Sequence, residues 1–140
     1  MKLFWGIFLV LLTLFIWYNS SLPAETSGYM SAVVAGFIHK LSVTLNITVD
    51  GNLEHTLRKL AHFCEFAFLC WTCCRTLEAW GISRRAANGY ILFYCLLAAV
   101  IDEYIQQFSP GRWASLKDVL LDFSGAFSLW TAYRFWQWSK

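Results

Sequence analysis

Charge is scarce in this 140-residue chain: Asp, Glu, Lys and Arg together make up 14% of it, where a soluble domain carries about 25%. Eleven Lys and Arg stand against nine Asp and Glu. No basic run exists that could track phosphates, so a nucleic-acid partner is not expected. Proline is nearly absent, and Pro23 and Pro110 both fall in connections, so long apolar helices can run uninterrupted. The five cysteines are an odd number, all within apolar stretches. Cys70-x-x-Cys73 has redox or metal spacing, but no second pair completes a site, which leaves the cysteines as small buried packing residues. The triplets at 19–21 and 46–48 match a glycosylation pattern too short to carry weight. What is abundant is hydrophobicity, at 58% of residues, with 19% aromatic. The expectation is an all-α integral membrane protein, one domain over 1–140.

Four apolar segments are expected to span, at about 3–18, 57–77, 86–107 and 116–138. The first measures only about 24 Å at about 1.5 Å per residue, short for a span but workable with snorkelling flanks. Lys2 followed by an apolar core also fits a cleaved signal peptide. Retention as an anchor is favoured by Trp17 and Tyr18 at the interface and by Leu22 where a cleavage site wants a small residue. The connection 19–56 is long. Its middle, 29–45, is apolar but carries His39 and Lys40, and reads as an interfacial or partly inserted helix in the first extracytoplasmic loop. An exposed turn is expected over 46–52.

Four crossings put both termini on one side. Lys2, Arg75, Arg84, Arg85, Arg134 and Lys140 belong to that face, and Lys40, Arg58, Lys59, Arg112 and Lys117 to the other. The totals barely differ, but the compact loop between segments two and three concentrates Arg75, Arg84 and Arg85, which places the termini in the cytoplasm.

The same topology gathers the ionisable groups that lipid disfavours. Segment two opens with Arg58, Lys59, His62 and Glu65, of which 58, 62 and 65 share a helix face. Segment three ends with Asp102, Glu103, Gln106 and Gln107, with 103 stacked near 106 or 107. The loop brings Arg112, and segment four opens with Asp118 and Asp122. All fall at the extracytoplasmic end. Each such group costs at least ~2.5 kcal/mol at the bilayer centre, so the cluster reads as a site. Structural ion pairing between helices is the alternative, but it accounts poorly for His62, Glu65 and Asp122, one to two turns inside their helices.

The three blocks Arg58-Lys59-Leu60-Ala61-His62-Phe63-x-Glu65-Phe66, Asp102-Glu103-x-x-Gln106-x-Phe108-x-Pro110-Gly111-Arg112 and Lys117-Asp118-Val119-x-x-Asp122-x-x-Gly125 resemble the VanZ-like family. An upstream Ser/Pro stretch is echoed by Ser20, Ser21, Pro23, Ser27 and Ser31. Asp122 stands where the family often has Asn, and Phe66 where Tyr is common. The resemblance implies a small bacterial membrane protein linked to teicoplanin susceptibility, with no settled reaction to carry over.

Two roles follow for the cluster. As a binding factor, Arg58, Lys59 and Arg112 would hold the anionic head group of a membrane lipid or lipid-linked cell-wall precursor. The carboxylates, Glu103 and Asp122 among them, would position those cations or grip sugar hydroxyls, and Gln106 completes the expected binding set. As an intramembrane enzyme, His62 or Glu65 would be the general base and Arg112 would stabilise developing phosphate charge. Asp102 and Asp118 would orient groups or hold a divalent cation, Mg²⁺ more readily than zinc given the excess of oxygens. No other cofactor is implied. Ion conduction is disfavoured, because the cytoplasmic halves of the segments are apolar.

Overall fold

The computed structural model describes residues 1–24, 26, 35–36, 40 and 53–139, the side chains of Glu54, Arg84 and Arg85 excepted. The stretch 29–45 expected to form an interfacial helix lies outside the described residues apart from 35–36 and 40, as does the turn at 46–52. Among the described residues the chain is all-helical, with long helices α1 (Lys2–Ser21), α2 (Leu53–Trp80), α3 (Arg84–Gln106) and α4 (Leu116–Trp138).

The helices run longer than the apolar segments alone. α1 has 20 residues, about 30 Å, enough for a hydrocarbon core. α2 has 28 residues, about 42 Å, because polar turns extend it at both ends. α1 and the Ala86–Gln106 part of α3 are long and apolar enough to cross a membrane. α2 and α4 are as long but more polar. Large apolar side chains point outward from every helix, among them Phe4 and Leu11, Phe68, Phe93 and Leu97, and Leu120 and Phe127. In water this continuous apolar exterior would drive aggregation, and in lipid it is matched by its solvent.

Inside, Ile16, Phe66, Leu69, Ile91, Ala99 and Ala126 form the centre of the core. Cys70, Cys73, Cys74 and Cys95 are buried with them, as packing predicts, whereas Cys64 is exposed; all five are free thiols. α2 and α4 share the most extensive interface, with α1 lying against α2 and α3. The α1 contacts are tied by polar groups. Trp17 Nε1 donates to the Ala98 carbonyl (3.2 Å) and Thr13 Oγ1 meets Tyr94 Oη (2.7 Å). Thr76 Oγ1 donates to the Trp5 carbonyl at 3.2 Å. Each such interhelical bond contributes about 0.6 kcal/mol in a bilayer.

The chain runs up and down. The end of α1, the start of α2, the end of α3 and the start of α4 meet at one end of the bundle, shown by contacts of Ser20 with Gln106 and of Lys59 with Asp118. At the opposite end Glu78 gathers donors from Arg75 (2.9 Å), Tyr133 (2.7 Å) and Gln137 (2.6 Å).

Candidate functional site

Helix polarity brings the three sequence blocks together, and a cavity of about 220 Å³ opens where they meet. Arg58, Lys59 and His62 line it from α2, Gln106 from α3, Arg112 from the loop, and Asp118 and Asp122 from α4. Seven of the ten expected residues therefore line one cavity. The other three lie close by. Asp102 and Glu103 are buried, and Glu65 Oε2 sits 3.8 Å from His62 Nδ1.

Each side chain has a distinct local task. Gln106 Nε2 donates to Asp102 Oδ2 at 2.7 Å, one helical turn apart. Of the residues on that turn, Gln106 takes Asp102 and not Glu103 as its hydrogen-bond partner. Glu103 instead accepts from the Ser115 backbone N–H, and Ser115 Oγ in turn accepts from the Lys117 N–H at the start of α4 (3.2 Å). Glu103 thus holds the loop against α3. Lys59 Nζ pairs with Asp118 Oδ1 at 3.2 Å. With side chains 40% and 35% exposed, that pair is worth at most ~1 kcal/mol and serves as a rim contact.

The loop 107–115 is shaped by Gly111, whose φ of +76° suits glycine and which abuts Ala24. It holds Arg112 over the cavity, where Arg112 Nη1 reaches the Ser20 carbonyl at 3.5 Å. Burial, with the like charge of Arg58 adding to it, pushes the Arg112 guanidinium below its ordinary range; Asp102, Glu103 and Glu65 pull the other way. It stays charged at neutral pH, as the delocalised guanidinium does throughout proteins.

Sequence reasoning missed the closure by α1. Ser20 is fully buried, its carbonyl accepts from Ser109 Oγ (3.0 Å), and its hydroxyl accepts from Gln106 at 3.4 Å. The Ser/Pro stretch was the available signal, but polar residues after an apolar run read equally well as a solvated helix end. His55 and Trp113 also line the cavity. His55 lies one turn before Arg58, whose guanidinium it meets at 3.1 Å; Trp113 had no sequence signal.

Beneath the rim, a ring nitrogen of His62 and one carboxylate oxygen each from Asp102 and Asp122 all lie within 4.8 Å of one another. His62 Nδ1, Asp102 Oδ1 and Glu103 Oε2 are buried atoms without a hydrogen-bond partner among the described residues. Buried polar atoms are ordinarily hydrogen-bonded, so these open groups ask for a partner.

No curated protein and no solved structure matches the chain. A family model described as VanZ/LLP1 matches residues 5–137, which takes in most of α1, all three motif blocks and nearly all of α4. This chain belongs to the VanZ/LLP1 family.

Proposed function

We propose that the chain is a single four-span domain of the bacterial cytoplasmic membrane, with both termini cytoplasmic. Its extracytoplasmic cavity binds the anionic head group of a cell-envelope lipid or lipid-linked precursor. The observation that carries this reading is the lining: Arg58, Lys59 and Arg112, from two separated parts of the chain, face one cavity at the end of the bundle. Arginine forks match phosphate oxygens in pairs, and a charge-assisted hydrogen bond contributes about 1.5–3 kcal/mol. The carboxylates keep the rim cations in place, as Asp118 does for Lys59. A binding factor at the outer leaflet would act where an acylated glycopeptide inserts, which supplies the link to teicoplanin that the family carries.

Two measurements test this reading. Reporter fusions at Gly81 should read cytoplasmic and those at Ser109 extracytoplasmic, as the arginines between the second and third segments require. A cytoplasmic reading at Ser109 would put the cavity on the wrong leaflet. Native mass spectrometry of the purified chain should show phosphatidylglycerol retained over phosphatidylcholine. Arg112→Ala should reduce that retention about tenfold, the loss of one charge-assisted contact. Equal retention of both lipids would sink the head-group assignment.

A second reading, an intramembrane enzyme on a phospho- or glycolipid, is favoured by the close approach of His62, Asp102 and Asp122. There His62 or Glu65 would move the proton and Arg112 would steady the developing phosphate charge. Conservative changes decide between the two: Glu65→Gln should abolish an enzyme outright but weaken a binding factor gradually.

A further inference from the structure

Asp102 and Asp122 present a chemical problem that head-group binding does not solve. Asp102 is fully buried and Asp122 is 2% exposed, and they come from different helices to within 4.8 Å of each other and of His62. Two carboxylates so close repel one another when ionised, more strongly in a poorly solvated site. At this end, among the described residues, Lys59 pairs with Asp118 and Glu65 lies 3.8 Å from the His62 ring; neither Asp102 nor Asp122 has an ion-pair partner. Asp102 Oδ2 takes the Gln106 amide, and Oδ1 is left without a partner among the described residues. Its neighbour His62 also keeps Nδ1 without a hydrogen bond.

We propose that His62, Asp102 and Asp122 hold a first-row divalent cation, Zn²⁺ or Mn²⁺, between α2, α3 and α4. Two carboxylates match the charge of the ion, and Asp102 has one oxygen, Oδ1, not engaged by Gln106 and open to a ligand role. The imidazole nitrogen selects against Mg²⁺ and Ca²⁺, which take oxygen ligands, so Mg²⁺, expected from the count of oxygens, gives way to a softer ion. A histidine that binds a metal through one ring nitrogen gives the other to a carboxylate; Glu65 Oε2, 3.8 Å from His62 Nδ1 and so outside hydrogen-bond distance, is the carboxylate that would close on it when the other nitrogen takes the ion. Three protein ligands leave coordination positions open. Because His62 and Asp122 also line the cavity, those positions face whatever enters it: water, or the oxygen of an anion. Asp118 is engaged by Lys59 and lies outside this group of three. The site stands whether or not the cavity takes a lipid.

The test uses the full chain, purified in detergent and stripped with a chelator. Titration with Mn²⁺, followed by electron paramagnetic resonance, should show one saturable ion per chain. Zn²⁺ should displace it and a hundredfold excess of Mg²⁺ should not. Pulsed spectra of the wild type should carry nitrogen modulation from an imidazole. Asp102→Asn and Asp122→Asn keep the side-chain shape and should each weaken binding at least about tenfold. Glu78→Gln, at the opposite end, should bind as the wild type. Loss of nitrogen modulation in His62→Gln would name the histidine. The proposal falls if the wild type shows no saturable site, if its spectra lack nitrogen coupling, or if folded Asp102→Asn binds normally. The wild-type spectra and the Zn²⁺ competition decide the matter even where a variant fails to fold.

Discussion

Expression of this chain in a susceptible Gram-positive host is expected to raise tolerance to teicoplanin more than to vancomycin, and Arg112→Ala is expected to abolish that difference. Teicoplanin carries a fatty acyl chain that anchors it near the membrane and vancomycin does not, so a factor working at the outer leaflet separates the two. Arg112 is the informative residue because it lines the cavity from the loop and not from a helix, with Nη1 reaching the Ser20 carbonyl at the end of α1. Arg58→Ala and Asp102→Asn should act in the same direction, since their side chains reach the same end from α2 and α3. Cys73→Ala should leave tolerance unchanged, because that thiol packs within the core. The measurement is the inhibitory concentration of each drug, with membrane insertion of every variant checked alongside. Equal shifts for both drugs would point to general wall thickening and away from a membrane-local mechanism. No shift for either, with the protein inserted, would remove the drug link and leave the family assignment intact.

The helices and the meeting of their ends were legible because they depend on composition and on counting crossings. α4 occupies the expected 116–138, bounded by Ser115 and by the aromatic-rich end of the chain. The helices α1 and α2 run beyond the apolar spans 3–18 and 57–77. Asn19 to Ser21 look like a stop signal in isolation, yet Ser20 makes hydrogen bonds with the end of α3 and the adjoining loop, and the α1 helix continues to Ser21. His55 and Glu78 likewise extend α2 because they find partners. Helical spacing correctly placed Arg58, His62 and Glu65 near one another, but it could not choose between partners on different helices. That choice depends on how each helix is rotated about its own axis. The rotation makes Asp122, and not Asp118, the neighbour of Asp102, and turns Glu103 toward Ser115.

Gly125 sets part of that rotation, and replacing it is expected to disturb both the fold and the site. A Cβ built on Gly125 would collide with the carbonyl oxygen of Phe63 on α2, with backbone and no flexible side chain in the way. α4 therefore approaches α2 as closely as it does only because residue 125 has no side chain, the arrangement small residues permit between membrane helices. Phe63 follows His62 directly, and Gly125 lies one turn after Asp122. A shift that relieves the collision must also part those two groups across the helix interface. Gly125→Ala should cost about 1–3 kcal/mol, the usual range for overpacking, read as a lower unfolding temperature in detergent. Gly125→Val should abolish accumulation of folded protein. Gly125→Ala should also weaken whatever His62 and Asp122 bind together, even at temperatures where the helices remain intact by circular dichroism. Gly89 on α3 supplies the contrast, since a Cβ there meets nothing within 4 Å. Gly89→Ala should be neutral or stabilising by up to ~1 kcal/mol, the gain in helix propensity. A Gly125→Ala protein as stable as Gly89→Ala would mean that α2 and α4 can separate without cost, and the close approach would then have no part in holding the site.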